Sequence, residues 1–336
     1  LGTVSVIVVN WNGRDFLPEC LASLKRQHFK PSAVIFVDNG SRDDSVDFVR
    51  HHYPDIRIIA LEENRGFSIA NNAALRTVKT EYVALLNNDA VAHPLWLQML
   101  VAGLESHPEA GFAASKMLFY DDHHSVDRAG DGYTKAGTAV LRGRGMNADA
   151  CNKEELVFGA CAGAALYRTS MLNDIGLFDE DFFLLYEDVD LSFRAQLRGY
   201  RCLYVPDAMV YHKGSGTIVR DSPMSVYYSH RNLEWVYIQN MPGRLILKTI
   251  VSHLIYDFAA LLYFVLHGRG KDFIRAKRDA LKGLRRALQK RGNVQKNKTV
   301  QDSSIGELLE TERLYRRFRK RLQSRGSFDR HHHRKF

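Results

Sequence analysis

The apolar run EYVALL stops at Asn87, Asn88 and Asp89. A carboxylate just past a buried strand can hold a divalent cation whose other ligands are diphosphate oxygens. Mg2+ and Mn2+ both suit such oxygen ligands. The two amides can orient that carboxylate or hydrogen-bond a sugar. Asn-Asn-Asp is also a good turn, so the triplet alone leaves both readings open. Asp38 strengthens the case for a site. It sits in VDNGS, where Asn39 and Gly40 tolerate unusual backbone angles. A carboxylate there can accept from the imide N–H of uracil or thymine, or it can cap a turn. Asn10 closes an earlier apolar run in the same way. Several such ends on one sheet suit a nucleotide lying across it.

Other stretches add to this set. ENRGFSIANNAA offers a flexible Gly66 beside Arg65, then Asn71 and Asn72 in the first turns of a helix. Helix starts and arginines both favour phosphate. A plain loop before a helix is the alternative. FDEDFFLLYEDVDLSFRAQLRGY interleaves Asp179, Glu180, Asp181, Glu187, Asp188 and Asp190 with Phe182, Phe183 and Tyr186. Carboxylates between aromatics suit a sugar-binding cleft that needs a general base. Asp188, at a helix start, is the candidate base, with Phe182, Tyr186 and Glu187 on the acceptor side. Acidic residues at a helix start are also favoured by its dipole. VYHKGSGT adds His212 and Lys213 before a Gly-Ser-Gly loop. His212 can ligate the cation beside Asp89 or meet phosphate, and the loop's N–H groups can cradle an anion. Arg231 can reach a diphosphate or pair with a carboxylate.

These residues need elements to position them. VSVIVVN, SAVIFVDN, IRIIAL and EYVALL are apolar, mostly β-branched runs, and stretches of helical spacing separate them. The alternation predicts an α/β fold with a mainly parallel sheet covered on both faces. Polar residues gather at strand carboxyl ends, where open α/β sheets bind ligands. No G-x-G-x-x-G follows the first strand, which argues against a dinucleotide site. Helices are predicted at 93–108 and 188–200, and strands at GFAASKMLFY and RCLYVP. Residues 121–155, rich in Gly, Asp and His, read as a long excursion forming binding surface or a lid.

Charge is uneven along the 336 residues. Residues 268–336 hold 22 Lys and Arg against 7 Asp and Glu, a net +15, and the rest holds 25 against 31, a net −6. Such a basic segment wants an anionic partner. Just before it, residues 245–267 are strongly apolar but include Lys248, His253 and Asp257. An apolar helix followed by a basic one fits attachment along a membrane surface better than a span or a core helix. A short helix is predicted near 305–323. The terminal HHHRK reads as a solvated tail. The opening LGTVSVIVVN reads as a first strand rather than a signal peptide. The four cysteines, Cys20, Cys151, Cys161 and Cys202, lack metal-site spacing and read as reduced residues of a cytosolic protein.

Taken together, VVNWNG, FVDNGSRDDS, NRGFSIANNAA, LLNNDA, GLFDEDFFLLYEDVDLSFRAQLRGY and YHKGSGT resemble the family 2 glycosyltransferases, in their rhamnosyltransferase-like branch. The resemblance covers about residues 3–235. It implies a GT-A fold and inverting transfer of a sugar from a nucleotide donor. By that resemblance Asp38 reads the base, and Gly66 and Asn72, with Arg65 beside them, belong to the donor loop. Asp89 is the last acid of the metal-binding D-x-D motif, Asp188 is the base and His212 lies near metal and diphosphate. Asn10, Asn39, Asn88 and Arg231 complete the expected donor side. Asn87 replaces the motif's first aspartate, so Mg2+ or Mn2+ would bind less tightly, leaving more charge neutralisation to Arg65, Lys213 or Arg231.

The expected organisation is a catalytic domain over 1–235, with a nucleotide-sugar half to about 118 and an acceptor half beyond it. Membrane-surface helices follow over 236–291, then a basic tail over 292–336, partly helical or disordered. The expected partners are a dTDP- or UDP-linked sugar, a saccharide or polyprenyl-linked saccharide acceptor, an anionic membrane surface and a second copy of the chain. The expected place is the cytoplasmic side of the cell membrane, with no nucleic acid bound. A sugar-phosphate nucleotidyltransferase would need an early glycine-rich basic loop, which is missing. A non-catalytic binder of nucleic acid or anionic surfaces would need the basic residues to line a groove with stacking aromatics.

Overall fold

The computed structural model describes residues 2–214 and 221–311. In chain order the first elements are β1 (Val4–Asn10), α1 (Leu17–Lys25), β2 (Ala33–Asn39), α2 (Ser45–His52), β3 (Arg57–Leu61) and α3 (Gly66–Leu75). Next come β4 (Tyr82–Leu86), β5 (Ala90–Ala92), α4 (Trp96–Ser106), β6 (Ala110–Phe119), β7 (Asp122–Ala129), β8 (Asp131–Thr134) and β9 (Ala139–Leu141). They are followed by β10 (Glu155–Val157), β11 (Ala164–Arg168), α5 (Thr169–Ile175), α6 (Glu187–Leu197) and β12 (Arg201–His212). The described chain closes with α7 (Pro223–Asn240), α8 (Gly243–Leu266), α9 (Gly270–Lys282), α10 (Leu284–Lys296), α11 (Asp302–Leu308) and β13 (Leu309–Glu310).

The main sheet runs β10-β12-β6-β11-β4-β1-β2-β3, with β5 on β12 and β7 on β6. Strands β3, β2, β1 and β4 are parallel, as the alternation predicts, and β12 is parallel to β6. β11 enters antiparallel between β4 and β6. The period-2 pleat divides each central strand between two cores. Val4, Val6 and Val8 face Leu21, Val49, Trp96 and Leu100 of α1, α2 and α4. Ile7, Ile35 and Val37 face Ala70, Met171 and Leu191 of α3, α5 and α6. Covering both faces leaves the carboxyl ends of β1, β2 and β4 as the open edge.

The segment 121–155 differs from a free excursion. β7 pairs antiparallel with β6, β10 with β12, and β8 with β9. The partners of β7 and β10 lie outside the segment, so its Gly, Asp and His content hides their pairing. Of the helix expected near 305–323, residues 305–308 fall in α11, Leu309 and Glu310 instead form β13, paired in parallel with β8, and residues 312–323 lie outside the described residues. Residues 312–336, including HHHRK, and Ser215 to Thr217 of the glycine-serine loop lie outside the described residues.

Helices α7 to α10 pack on the body through two further cores. Val236 and Tyr237 of α7, with Met241 just after it, meet Val189 and Phe193 of α6. Val226 and Leu233 meet Tyr256, Phe264 and Phe273 of α8 and α9. α8 is long and apolar enough to cross a membrane by length and composition, and a third of its apolar stretch, 33%, is buried against the protein. The basic segment is partly neutralised within the fold. Lys290 pairs with Asp179 and Asp181, and Arg286 pairs with Asp181. Lys277 pairs with Glu234 and Asp257, and Lys298 with Asp302.

Candidate active site

Parallel pairing sets Asn10 beside Asp38 at the ends of β1 and β2. The Asp38 carboxylate, 3% exposed, accepts from Ser41 N at 2.9 Å and from Asn10 Nδ2 at 3.4 Å. Asn10 Oδ1 in turn accepts from Asn88 Nδ2 at 2.7 Å. One buried amide therefore ties the end of β2 to the turn after β4. Asn39 Oδ1 accepts from Arg65 N at 2.9 Å, and Asn39 Nδ2 donates to Asn64 Oδ1 at 3.0 Å and Gly66 O at 3.3 Å. Gly66 has φ +84, and a Cβ there would lie 2.5 Å from Phe183 O. That position excludes any side chain, because Phe67 N already donates to Phe183 O at 2.7 Å.

β5 pairs antiparallel with β12 and sets His212 opposite Ala90, next to Asp89. His212 Nε2 lies 3.4 Å from Asp89 Oδ2, and Nδ1 lies 2.8 Å from Asp127 Oδ2. Asp127 is buried on β7 and also pairs with Arg144. Burial opposes the imidazolium, but the bonds to Asp127 and Asp89 outweigh it and push His212 up to about 9. Burial likewise opposes the Asp127 carboxylate, and His212 and Arg144 hold it below the usual range. Once its Nε2 proton is displaced, the imidazole beside the Asp89 carboxylate, its ring fixed from behind by Asp127, fits a divalent cation that takes its remaining oxygens from a ligand.

Asp188 stands in the first turn of α6, on the other side of the β4 end. Asn87 N donates to Gly163 O at 2.8 Å, and one residue earlier Ala162 N donates to Asp188 Oδ2 at 3.3 Å. The loop 161–163 thus links the Asn87–Asp89 turn to Asp188. Arg128, half-buried, pairs with buried Asp131 at 3.2 Å. Burial and the Asp188 charge push neighbouring Glu187 well above the ordinary glutamate range. Its Oε2 has no hydrogen-bond partner among the described residues, which suits the protonated acid.

The backbone before Asp188 is strained. Leu185 and Tyr186 both have positive φ, 68 and 72. Such angles cost non-glycine residues about 1–2 kcal/mol each. Fully buried Asn232 of α7 holds this bend, donating to Leu184 O at 2.9 Å and Leu185 O at 2.6 Å. The Tyr186 hydroxyl adds a contact, accepting from Ala139 N at 3.3 Å. Strain of this kind gathers at functional sites.

Residues 5–176, about half of the chain, match the family described as Glycosyl transferase family 2. The chain belongs to this family. A curated relative, the N-acetylglucosaminyl-diphospho-decaprenol L-rhamnosyltransferase of Mycobacterium tuberculosis, is 26% identical over 262 residues, 69% of this chain and 83% of that protein. In fold the chain is similar to the mannosyltransferase PcManGT from Pyrobaculum calidifontis, solved with GDP-Man and Mn2+. That likeness has TM-score 0.55 and 18% identity and covers 87% of this chain and 85% of that one. It is also similar to GalNAc-T7, solved with UDP, GalNAc and Mn2+, at TM-score 0.57 and 14% identity over 72% of this chain and 49% of that one. The chain is a nucleotide-sugar-utilising glycosyltransferase with a GT-A fold.

In this glycosyltransferase Asn10, Asp38, Asn88, Asp89, His212 and Asp188 form one linked set around the open edge, with Asn39, Arg65 and Gly66 along its β2 side. Other expected site residues have side chains engaged elsewhere. Asn72 Nδ2 donates to Phe178 O at 2.9 Å and Glu180 Oε1 at 3.0 Å. Arg231 donates to Asp181 O at 3.2 Å and lies over the rings of Tyr228 and Trp235. Phe182 is fully buried against Trp235. Glu187 is buried.

Asp127, Arg128, Asp131 and Asn232 escaped the sequence reading. Only long-range pairing brings Asp127 to His212 and Asn232 to Leu185, so no local pattern marks them. Away from this edge, Glu234, His253 and Asp257 put ligand atoms within 4.8 Å of one another, a set able to coordinate a divalent cation. Lys277 bonds to both of those carboxylates.

Proposed function

We propose that this glycosyltransferase inverts the anomeric centre while moving a sugar from a pyrimidine nucleotide donor to a saccharide on a lipid carrier. The donor is dTDP-rhamnose or a UDP-linked sugar, and the acceptor a saccharide or polyprenyl-linked saccharide at the cytoplasmic membrane surface. The linked set from Asp38 through Asn10, Asn88 and the 161–163 loop to Asp188 is the observation that carries this reading. It lines a single edge with a base-reading carboxylate at one end and a general base at the other. The Mycobacterium tuberculosis relative, a rhamnosyltransferase by name, supports the choice of donor and of a lipid-linked acceptor.

In the reaction Asp188 takes the proton from an acceptor hydroxyl. The resulting oxygen forms a bond to the anomeric carbon as the bond from that carbon to the nucleoside diphosphate breaks on the opposite face. The diphosphate leaves with the bonding electron pair, and the proton on Asp188 passes to solvent. Asp38 accepts from the base imide, and Arg65 and Lys213 offer positive charge to the diphosphate. Asp89 and His212 would hold Mn2+ or Mg2+, which when bound supplies further positive charge against the leaving group. Burial and the Asp188 charge hold Glu187 toward its protonated form, which lessens the charge beside Asp188.

Titration calorimetry with UDP, dTDP, GDP and their sugars, with and without Mn2+, identifies the donor. Asp188→Asn is then expected to bind that donor as the wild type does and to lose transfer. Undiminished transfer by Asp188→Asn would reject the base assignment.

A further inference from the structure

α8 leaves one side uncovered. Leu247, Val251, Leu254, Phe258, Leu262 and Leu266 are exposed, by 81% at Leu247 and 82% at Leu266. Their spacing sets them on one arc running the length of the helix, about 36 Å for 24 residues. The opposite arc buries Leu245, His253, Tyr256, Ala260 and Phe264. Continuous apolar surface of this size marks an interaction site. Cations border it. Arg244 and Lys248 are exposed in the first turns of α8. α9 exposes Ile274 and Leu281 beside Arg275, Arg278 and Lys282. Those three cations share the single carboxylate of Asp279, so that side keeps net positive charge.

We propose that the exposed arc of α8 and the basic side of α9 form one bilayer-docking face that takes anionic headgroups, with α8 lying in the membrane plane. Charge complementarity chooses this occupant. A second copy would bring like cations face to face, whereas an anionic leaflet accepts both the apolar side chains and the cations around them. The buried arc excludes a crossing. Drawing α8 through a bilayer would strip Lys277 from Asp257 and uncover His253, leaving unpaired charge.

The face also has a fixed relation to the active site. α7 touches both α8 and the loop before Asp188. Val226 and Leu233 of α7 pack toward α8, while Tyr228 stacks on Phe183 and Asn232 holds Leu184 and Leu185.

This inference rests on the peripheral attachment proposed above and not on the transfer chemistry. Its test therefore omits donor and acceptor. The full chain is sedimented with vesicles of phosphatidylcholine alone and of phosphatidylcholine with phosphatidylglycerol. Stronger binding to the anionic vesicles is expected, with release by high salt and carbonate. Val251→Glu/Phe258→Glu is expected to lower vesicle partition at least about tenfold, with unchanged unfolding midpoint and donor binding. Arg275→Gln/Arg278→Gln/Lys282→Gln is expected to remove the preference for anionic lipid. Equal binding to both vesicles would overturn the headgroup assignment. Resistance to carbonate extraction would overturn the in-plane placement. A dimer in vesicle-free solution, abolished by Val251→Glu/Phe258→Glu, would overturn the bilayer in favour of a second copy.

Discussion

Asn232→Ala separates the support of the loop before Asp188 from the chemistry proposed for that residue. The side chain is fully buried and donates two hydrogen bonds, to Leu184 O and Leu185 O. Each is worth about 1 kcal/mol net, and more when its loss leaves a buried carbonyl unpaired. The truncation should therefore destabilise the fold by about 2–3 kcal/mol. The same bonds hold Leu185 and Tyr186 at φ 68 and 72. That pair stores roughly 2–4 kcal/mol, so an unpinned loop gains by leaving the left-handed bend. Asp188 lies two residues beyond it. A displacement of about 1 Å costs on the order of a hundredfold in rate. The assays are urea unfolding, calorimetry with the donor, and transfer under saturating donor. The expected result is lower stability, unchanged donor affinity and kcat reduced about a hundredfold. Wild-type kcat in Asn232→Ala would refute the reasoning.

Asp38→Ala should weaken donor binding by about 1–3 kcal/mol, with a smaller loss for a purine nucleotide, measured by calorimetry. Asp89→Ala should weaken donor binding chiefly when Mn2+ is present, and chelation should bring wild type toward the mutant. Asp127→Asn, which leaves Asp89 and His212 in place, should lower Mn2+ affinity about 10–100-fold, read by electron paramagnetic resonance. For Glu187 the sign follows from its raised pKa. The native state holds that proton more tightly than the unfolded chain does, so this contribution to stability falls as pH rises above the unfolded glutamate value. Glu187→Gln should remove that fall, seen as a flatter profile of urea unfolding against pH.

What the residues disclosed, and what they hid, follows from the reach of each signal. Strands β1 to β4 were legible because continuous β-branched runs admit few alternatives, and their polar ends stood out against them. α6 was legible from its period, and with it the place of Asp188. Asn72 and Arg231 have residue types that suit phosphate, but type does not tell where a side chain turns. Asn72 turns into the 178–180 loop, and Arg231 onto Tyr228 and Trp235. The basic segment promised an anionic partner, and the fold supplies part of one itself through Asp179, Asp181, Glu234 and Asp257. Asp127 meets His212 across 85 residues of chain, a distance over which local periodicity says nothing.

The small strand Leu309–Glu310 bears on how this protein can be made and cut. It pairs with Tyr133–Thr134, synthesised more than half the chain earlier. On the ribosome, the Tyr133–Thr134 edge of β8 must wait uncovered until residue 310 has emerged. A shortened version ending near residue 268, meant only to shed basic charge, would also lose this edge and the Lys290 clasp on Asp179 and Asp181. A trimmed protein for crystallisation or assay should therefore keep everything through Glu310.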